Sequence, residues 1–385
     1  MLNFELYNPT KIIFGKNQLQ NIAKELPKGV KILLLYGGGS IFKNGVYEAV
    51  TSNLSGFDIV EFGGVEANPT FETLCKAVEV VRREHIGFVL AVGGGSVIDG
   101  AKFVITASVY QGHPLDIFYR KHRPTEALPF GVVLTLPATG SEMNSGAVIT
   151  RTETNEKLSF GSGVTFPKFS FCDPTVIVSL PKRQLQNGVI DAFTHVLEQY
   201  VTYSHGAILQ DKIAESVLQT LVEIGAKVTE NPADYHLASN FMWSCTMALN
   251  GLLSKGVPTD WATHFIGHEL TALYGIDHAR TLAIIAPNLY RVLFDTKKEK
   301  LAQLGRNVFK LSGEDTQVAA EAIEKLEEFF HSVGMKTKIS ENTTENIENT
   351  ATIIVKRFEE RGFSPIGERQ NITLEKIHEI VLRSY

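Results

Sequence analysis

Cysteine is scarce in this sequence: 3 in 385 residues, at Cys75, Cys172 and Cys245, with no CxxC pair among them. An odd, widely spaced set excludes a disulfide framework and a zinc knot, and it fits reduced thiols in a cytoplasm. Long hydrophobic runs are also missing. No apolar stretch approaches the roughly 20 residues that span a bilayer. The opening MLNFELYNPTKIIFG has no charged n-region, long apolar core or cleavage signature. A cytoplasmic location away from membranes is therefore expected. There is no excess of basic residues either: 37 Lys and Arg against 42 Asp and Glu leave a net charge of -5 and a pI near 6.1. That balance gives no electrostatic reason to expect nucleic acid as a partner.

What is present divides into two textures. At 385 residues the chain is too long for one comfortable core, so two domains are expected. The first 180 residues alternate short β-rich runs with helical stretches. Lys31–Tyr36 (KILLLY), Gly87–Val92 (GFVLAV) and Gly131–Leu136 (GVVLTL) suit strands buried on both faces of a parallel sheet. Between them, Phe71–Arg83 places Leu74, Ala77, Val78 and Val81 at helical spacing. Strand–helix alternation predicts an α/β layer. Beyond Leu180-Pro181, helical periodicity takes over. Ile213, Val217, Leu221 and Ile224 form one stripe, and Ile323, Leu326 and Phe330 another, with Gly334 as its C-terminal cap. The expected division is an α/β domain over residues 1–180 and an all-helical domain over 181–385, with a ligand cleft between them.

Two glycine triplets each follow a predicted strand: Gly37-Gly38-Gly39-Ser40 and Gly93-Gly94-Gly95-Ser96. Glycine after a buried strand lets backbone N–H groups approach a phosphate with no Cβ in the way. The second triplet continues as Ser96-Val97-Ile98-Asp99-Gly100-Ala101-Lys102, which reads as entry into a helix whose dipole favours an anion. Neither triplet is the GxGxxG fingerprint of dinucleotide folds. A third loop, Thr135-Leu136-Pro137-Ala138-Thr139-Gly140-Ser141-Glu142, offers hydroxyls and glycine suited to ribose or phosphate.

Histidine is concentrated in WATHFIGHELTALYGIDHARTL, residues 261–282, which holds His264, His268 and His278. Earlier, in GVIDAFTHVLEQY, Asp191 and His195 stand at i and i+4 in an apolar helical context and share one face. They make half of a divalent metal site, and His264 with His278 can supply the other half. One carboxylate and three imidazoles suit Fe²⁺ or Zn²⁺ and disfavour Ca²⁺ or Mg²⁺. Spacing alone leaves a competing reading open, in which each pair is a hydrogen-bonded or buried structural pair.

These stretches carry a resemblance. GGGSVIDGAK, the TLPATGSE loop, GVIDAFTHVLEQY and the THFIGHE…DHA histidines run in order along nearly the whole chain. Together they resemble the iron-containing (group III) alcohol dehydrogenase family. YGGGSIFKNGVY, EFGGVEANPTFETL and VPTDWATHFIGHELTALYGIDHA are most similar to its bacterial butanol dehydrogenase and NADPH-dependent aldehyde reductase branch. The resemblance implies a Rossmann-like dinucleotide-binding α/β domain, an all-α metal-binding domain and a homodimer paired through N-terminal edge strands. The strand-like opening Asn3–Gly15 is compatible with such pairing. It implies Asp191, His195, His264 and His278 as metal ligands, and His268 as a neighbour of substrate and nicotinamide that is not a ligand. Gly94, Gly95 and Ser96 would hold the pyrophosphate, with Asp99 nearby. Asn68, Thr135, Thr139, Asn144 and Lys157 would contact the rest of the cofactor. Many members open the third loop with two threonines; here the second is Leu136.

The implied activity is metal-dependent hydride transfer between NADPH and short- to medium-chain aldehydes or primary alcohols, with His268 relaying a proton. An NAD-linked glycerol- or polyol-type dehydrogenase is the alternative of the same class. A lyase of the dehydroquinate synthase type needs basic residues around the metal, whereas the stretches flanking Asp191, His195 and His264 are apolar. A non-enzymatic nucleotide-binding module has no use for the metal constellation. The preference for NADPH rests on Gly37-Gly38-Gly39-Ser40: no carboxylate occurs through Lys43 to hold a ribose 2′-OH or repel a 2′-phosphate.

Overall fold

The apolar runs become strands because helices cover them. The computed structural model describes residues 1–385, Ile347 by its backbone alone. Its main sheet contains β1 (Lys11–Phe14), β2 (Lys31–Gly37), β3 (Asp58–Val65), β4 (Phe88–Gly94), β5 (Phe130–Leu136) and β8 (Phe169–Cys172). The spatial order is β1-β8-β5-β4-β2-β3, and every pairing is parallel. Between β5 and β8 the chain makes an antiparallel hairpin of β6 (Gly146–Arg151) and β7 (Glu156–Gly161). Ile32 through Leu35 and Phe88 through Val92 are all buried, as a strand covered on both faces requires. Ile32, Leu34, Leu90 and Val92 join a core with Ile22 of α1 (Ile22–Glu25) and with Val46 and Val50 of α2 (Val46–Thr51). Elsewhere on the sheet, α4 (Gly95–Val109) packs against β4, and α3 (Phe71–Arg83) packs against α4. The Thr70 side chain caps α3 by accepting from Thr73 N–H, and Leu74, Ala77, Val78 and Val81 form its buried stripe.

The helical part comprises α5 (Lys182–Tyr200), α6 (Ile208–Glu230), α8 (Ala262–Tyr274), α9 (His278–Val292), α10 (Phe294–Asn307), α11 (Asp315–Ser332), α12 (Ile347–Glu360) and α13 (Leu374–Arg383). In α11 the expected stripe is buried. Gly334, at φ +89°, closes it: Gly334 N–H donates to His331 O and Met335 N–H to Phe330 O. In α6 the second half of the expected stripe, Leu221 and Ile224, is buried, but its first half is shifted: Ala214 and Leu218 are buried, whereas Ile213 and Val217 are only half-buried. The reason is a close crossing with α5: a Cβ on Gly225 would lie 2.8 Å from Val189 Cγ1, so the face centred on Gly225 turns inward.

By contact density the chain forms two units. One holds Tyr7–Pro181 and Pro232–Asn250, and the other holds Met1–Leu6, Lys182–Asn231 and Gly251–Tyr385. A single cut at 180/181 does not describe this exchange. The segment carrying α7 (Tyr235–Ala248) belongs with the α/β unit because its Thr246 hydroxyl donates to the buried Glu142 carboxylate, at 2.5 Å. The expected strand Asn3–Gly15 shortens to β1, which lies at one edge of the sheet. Pro9 has no N–H to give, and Asn8 turns the chain by donating to Met143 O and Asn250 O. Among the described residues no helix is long and apolar enough to cross a membrane.

Candidate metal centre and dinucleotide loops

One face of α5 places Asp191, His195 and Glu198 at i, i+4 and i+7, and all three are buried. α8 contributes His264 and His268 at its own i,i+4 spacing, then ends at Gly275, whose φ of +65° only glycine adopts readily. The short turn after it delivers His278 as the first residue of α9. Ligand atoms of Asp191, His195 and His264 all lie within 4.8 Å of one another. His195 Nε2 and His278 Nε2 are each 3.7 Å from Asp191 Oδ1. That is too long for a hydrogen bond. It is near the separation of about 3.4 Å between two donors held about 2.1 Å from one tetrahedral ion.

Among the described residues, Asp191 Oδ1 and His264 Nε2 are buried and make no hydrogen bond, and neither does His195 Nδ1, the ring nitrogen away from the Nε2 that faces Asp191. A buried polar group left so costs about 1–3 kcal/mol, which a cation held by Asp191 Oδ1 and His264 Nε2 removes for those two atoms. The imidazoles are held in the form a metal needs, whereas the Asp191 carboxylate needs a cation beside it to offset its burial. Burial pushes the Asp191 carboxyl up and the His195 imidazole down. His264 is held well below its usual value by burial, and then by His195, His278 and His268 around it. Neutral imidazoles are the form that binds a metal. The residues present therefore fit one divalent ion of the iron or zinc type. His268 stands beside this convergence: its ring centroid is 4.9 Å from that of His278 and 6.3 Å from that of His264, and it is partly exposed.

Sequence reasoning missed what surrounds the cluster. Glu198 Oε2 meets His264 Nδ1, and Glu198 Oε1 accepts from Thr263 N–H at 2.6 Å. Asp260 Oδ1 accepts from Ala262 N–H, while Asp260 Oδ2 pairs with Lys297, itself bound to Glu368. The signal for Glu198 was its position seven residues after Asp191 on an otherwise apolar face. Asp260 and Glu368 had none, since their partner lies on α10. Trp261 packs edge-on to His264, with ring centroids 5.3 Å apart, and also lines a cavity of about 420 Å³. Phe265, Phe363, Pro365 and Ile366 make up its apolar walls.

The α/β unit carries the glycine loops. Gly93 and Gly94 end β4 and Gly95 opens α4, whose first turn has no side-chain cap and no acidic residue. Its first N–H groups, Ser96 among them, are left for an outside acceptor. Side chains are excluded: a Cβ on Gly93 would lie 2.5 Å from Val97 Cγ2, and one on Gly95 would lie 2.5 Å from Thr139 Oγ1. In the other triplet Gly37 ends β2, Gly39 has φ +96°, and Gly38 and Ser40 are exposed. A Cβ on Gly38 would meet nothing within 4 Å.

The predicted polar contacts divide into two kinds. Lys157 and Asn68 come together, the lysine donating to Asn68 Oδ1, and burial lowers the Lys157 pKa to about 8. Asp99 and Asn144 instead brace the loop. Asp99 accepts from the Ser141 hydroxyl and from Val148 N–H, at 2.5 and 2.8 Å. Asn144 donates to Gly140 O and Leu249 O and accepts from Lys102 at 2.9 Å. Thr139 Oγ1 accepts from Ser141 N–H, and Thr135 is buried at the end of β5. Lys102, which the sequence reading passed over, is the hub. It is fully buried, it donates to Ser141, Asn144 and Gly146 O, and burial lowers its pKa to about 8.

Residues 9–174 match the family described as iron-containing alcohol dehydrogenase, and residues 186–385 match the C-terminal domain of the Fe-containing alcohol dehydrogenase family. The chain is 45% identical over 379 residues to the NADPH-dependent aldehyde reductase YqhD of Escherichia coli, covering 97% of each protein. It is 38% identical over 391 residues to NADH-dependent butanol dehydrogenase A of Clostridium acetobutylicum, covering 100% of each. The crystal structure of E. coli YqhD superposes with a TM-score of 0.97 at 43% identity, covering 100% of this chain and 99% of that one. With both of its halves matched and its relatives aligned end to end, the chain belongs to the iron-containing alcohol dehydrogenase family.

Proposed function

We propose that this oxidoreductase reduces short- to medium-chain aldehydes, and oxidises the corresponding primary alcohols, with NADPH preferred to NADH. Its metal ligands are Asp191, His195, His264 and His278. The observation that carries the reading is the convergence of Asp191, His195 and His264 within 4.8 Å, with Asp191 Oδ1 and His264 Nε2 buried and otherwise unsatisfied. The bound ion, Fe²⁺ or Zn²⁺, supplies a Lewis acid for the carbonyl oxygen, and the dinucleotide supplies the hydride.

The chain's residues do the rest. The uncapped first turn of α4, at Gly95 and Ser96, receives the pyrophosphate, and Lys157 with Asn68 contacts the cofactor's polar groups. Asp99 and Asn144 act within the same site by holding the TLPATGSE loop in place. His268, beside His278 but apart from the converging atoms, passes a proton to the product oxygen. The cavity walled by Trp261, Phe265 and Phe363 takes the apolar tail of the aldehyde. For the cofactor, the absence of a carboxylate between Gly37 and Lys43 supports NADPH, with Ser40 and Lys43 exposed to meet a 2′-phosphate. The two relatives named above differ on this point, one carrying NADPH in its name and the other NADH. The reading includes a cytoplasmic homodimer joined at β1.

The test is catalytic efficiency over a series of aldehydes with NADPH and with NADH, each with and without chelator. Chelator-sensitive reduction favouring NADPH is expected. Equal or better efficiency with NADH would overturn the cofactor preference, and activity untouched by complete metal removal would overturn the ligand assignment.

A further inference from the structure

Glu198 is buried to 2% exposure, yet among the described residues no lysine or arginine touches its carboxylate. The nearby ammonium of Lys297 is occupied by Asp260, Glu368 and Val201 O. A buried carboxylate without a cation is costly unless other donors hold it. Here the donors are two, and both come from the start of α8: the backbone N–H of Thr263 and the imidazole Nδ1 of His264. Each oxygen takes one of them, so the carboxylate cannot rotate without losing both.

We infer that Glu198 is a positioning residue, clamping His264 through Nδ1 so that Nε2 faces the ion bound by Asp191 and His195. The inference rests on the ligand assignment proposed above. A neutral imidazole has one N–H. Directing it from Nδ1 to Glu198 leaves the lone pair on Nε2, which is the buried atom that lacks a hydrogen bond. The same carboxylate fixes the helix that carries the ligand. Trp261, at the N-cap of α8, makes no side-chain cap bond, and Glu198 and Asp260 cap the helix instead through Thr263 and Ala262 N–H. Asp260 is held in turn, its N–H donating to Glu198 O and its side chain accepting from Lys297. One face of α5 thus carries two ligands and the strut for a third.

The experiment strips metal from the wild-type protein, Glu198→Gln, Glu198→Ala and Asp191→Ala, then titrates each with Co²⁺ while recording the visible spectrum. Glutamine keeps the volume but only one acceptor oxygen. Loss of a partner to a metal-bound histidine lowers affinity by about 10- to 100-fold, so Glu198→Gln should fall in that range with an altered cobalt spectrum, and Glu198→Ala at least as far. A helix cap with no role at the metal would lower the melting temperature and leave affinity and spectrum alone. Wild-type affinity and spectrum in Glu198→Gln, with metal lost in Asp191→Ala, overturn this inference alone. Metal retained in Asp191→Ala overturns the ligand assignment instead. A second measurement needs no variant: long-range ¹H–¹⁵N spectra of the Zn²⁺-loaded wild-type protein should show His264 protonated at Nδ1. Protonation at Nε2 refutes the clamp.

Discussion

The proposed metal cluster and the proposed dinucleotide loops would bind by opposite means. In the helical unit, binding capacity lies in side chains: one carboxylate and three imidazoles project from α5, α8 and the start of α9, and a buried carboxylate holds one of them by its far nitrogen. In the α/β unit it lies in backbone and in the absence of side chains, since a single methyl on Gly93 or Gly95 would collide with a neighbour. The polar side chains around those loops mostly bind each other, through Lys102, Asp99 and Asn144. The difference shows where a substitution will be felt. A ligand is lost by removing atoms, and a phosphate cradle is lost by adding them.

The strongest way to break the comparison is at a ligand. Asp191→Ala or His264→Ala should release the metal and abolish nearly all turnover, lowering metal affinity by orders of magnitude while dinucleotide binding stays intact. Metal analysis beside a cofactor titration checks both halves, and full metal occupancy in His264→Ala would make His268 the ligand. Next in size is His268 itself. As a proton relay it contributes roughly 10²–10⁴-fold to turnover. His268→Ala should therefore keep its metal, lose activity in that range and change its pH–rate profile. Unchanged turnover and pH dependence would reduce it to a pocket wall.

A smaller effect of the opposite kind is expected at Gly95. The methyl of Gly95→Ala would lie 2.5 Å from Thr139 Oγ1, an overpacking that costs about 1–3 kcal/mol. Dinucleotide affinity should weaken by roughly tenfold or more with metal content unchanged, and wild-type affinity would show that the loop is not the cradle. The smallest change sharpens specificity rather than binding. Gly38 is exposed with open space at its Cβ position, so Gly38→Asp adds a charge without a clash. Its repulsion of a 2′-phosphate should move relative kcat/KM toward NADH by about tenfold. No shift would place the adenosine ribose elsewhere.

Much of this was legible in the residues because burial writes a period into a chain. KILLLY, GFVLAV and the 71–83 stripe became β2, β4 and α3, since a strand covered on both faces and a helix covered on one each leave a local pattern. The histidines and Asp191 stood out because imidazole and carboxylate are rare among apolar neighbours. The first half of the α6 stripe was misread by one position, at Ile213 and Val217, because the close crossing at Gly225 depends on Val189, which lies on another helix.

By itself, then, the sequence determined the strand–helix order and the glycine-edged strand ends, and it singled out the side chains proposed to hold a metal, all of which rest on local spacing and residue type. Only the tertiary structure decided that 232–250 packs with the α/β unit, that Asp99 and Asn144 brace a loop, and that Glu198 grips His264 from 66 positions away. These are hydrogen bonds between residues distant in the chain. Such a bond leaves no periodicity in the sequence, because its geometry exists only once the intervening elements have packed.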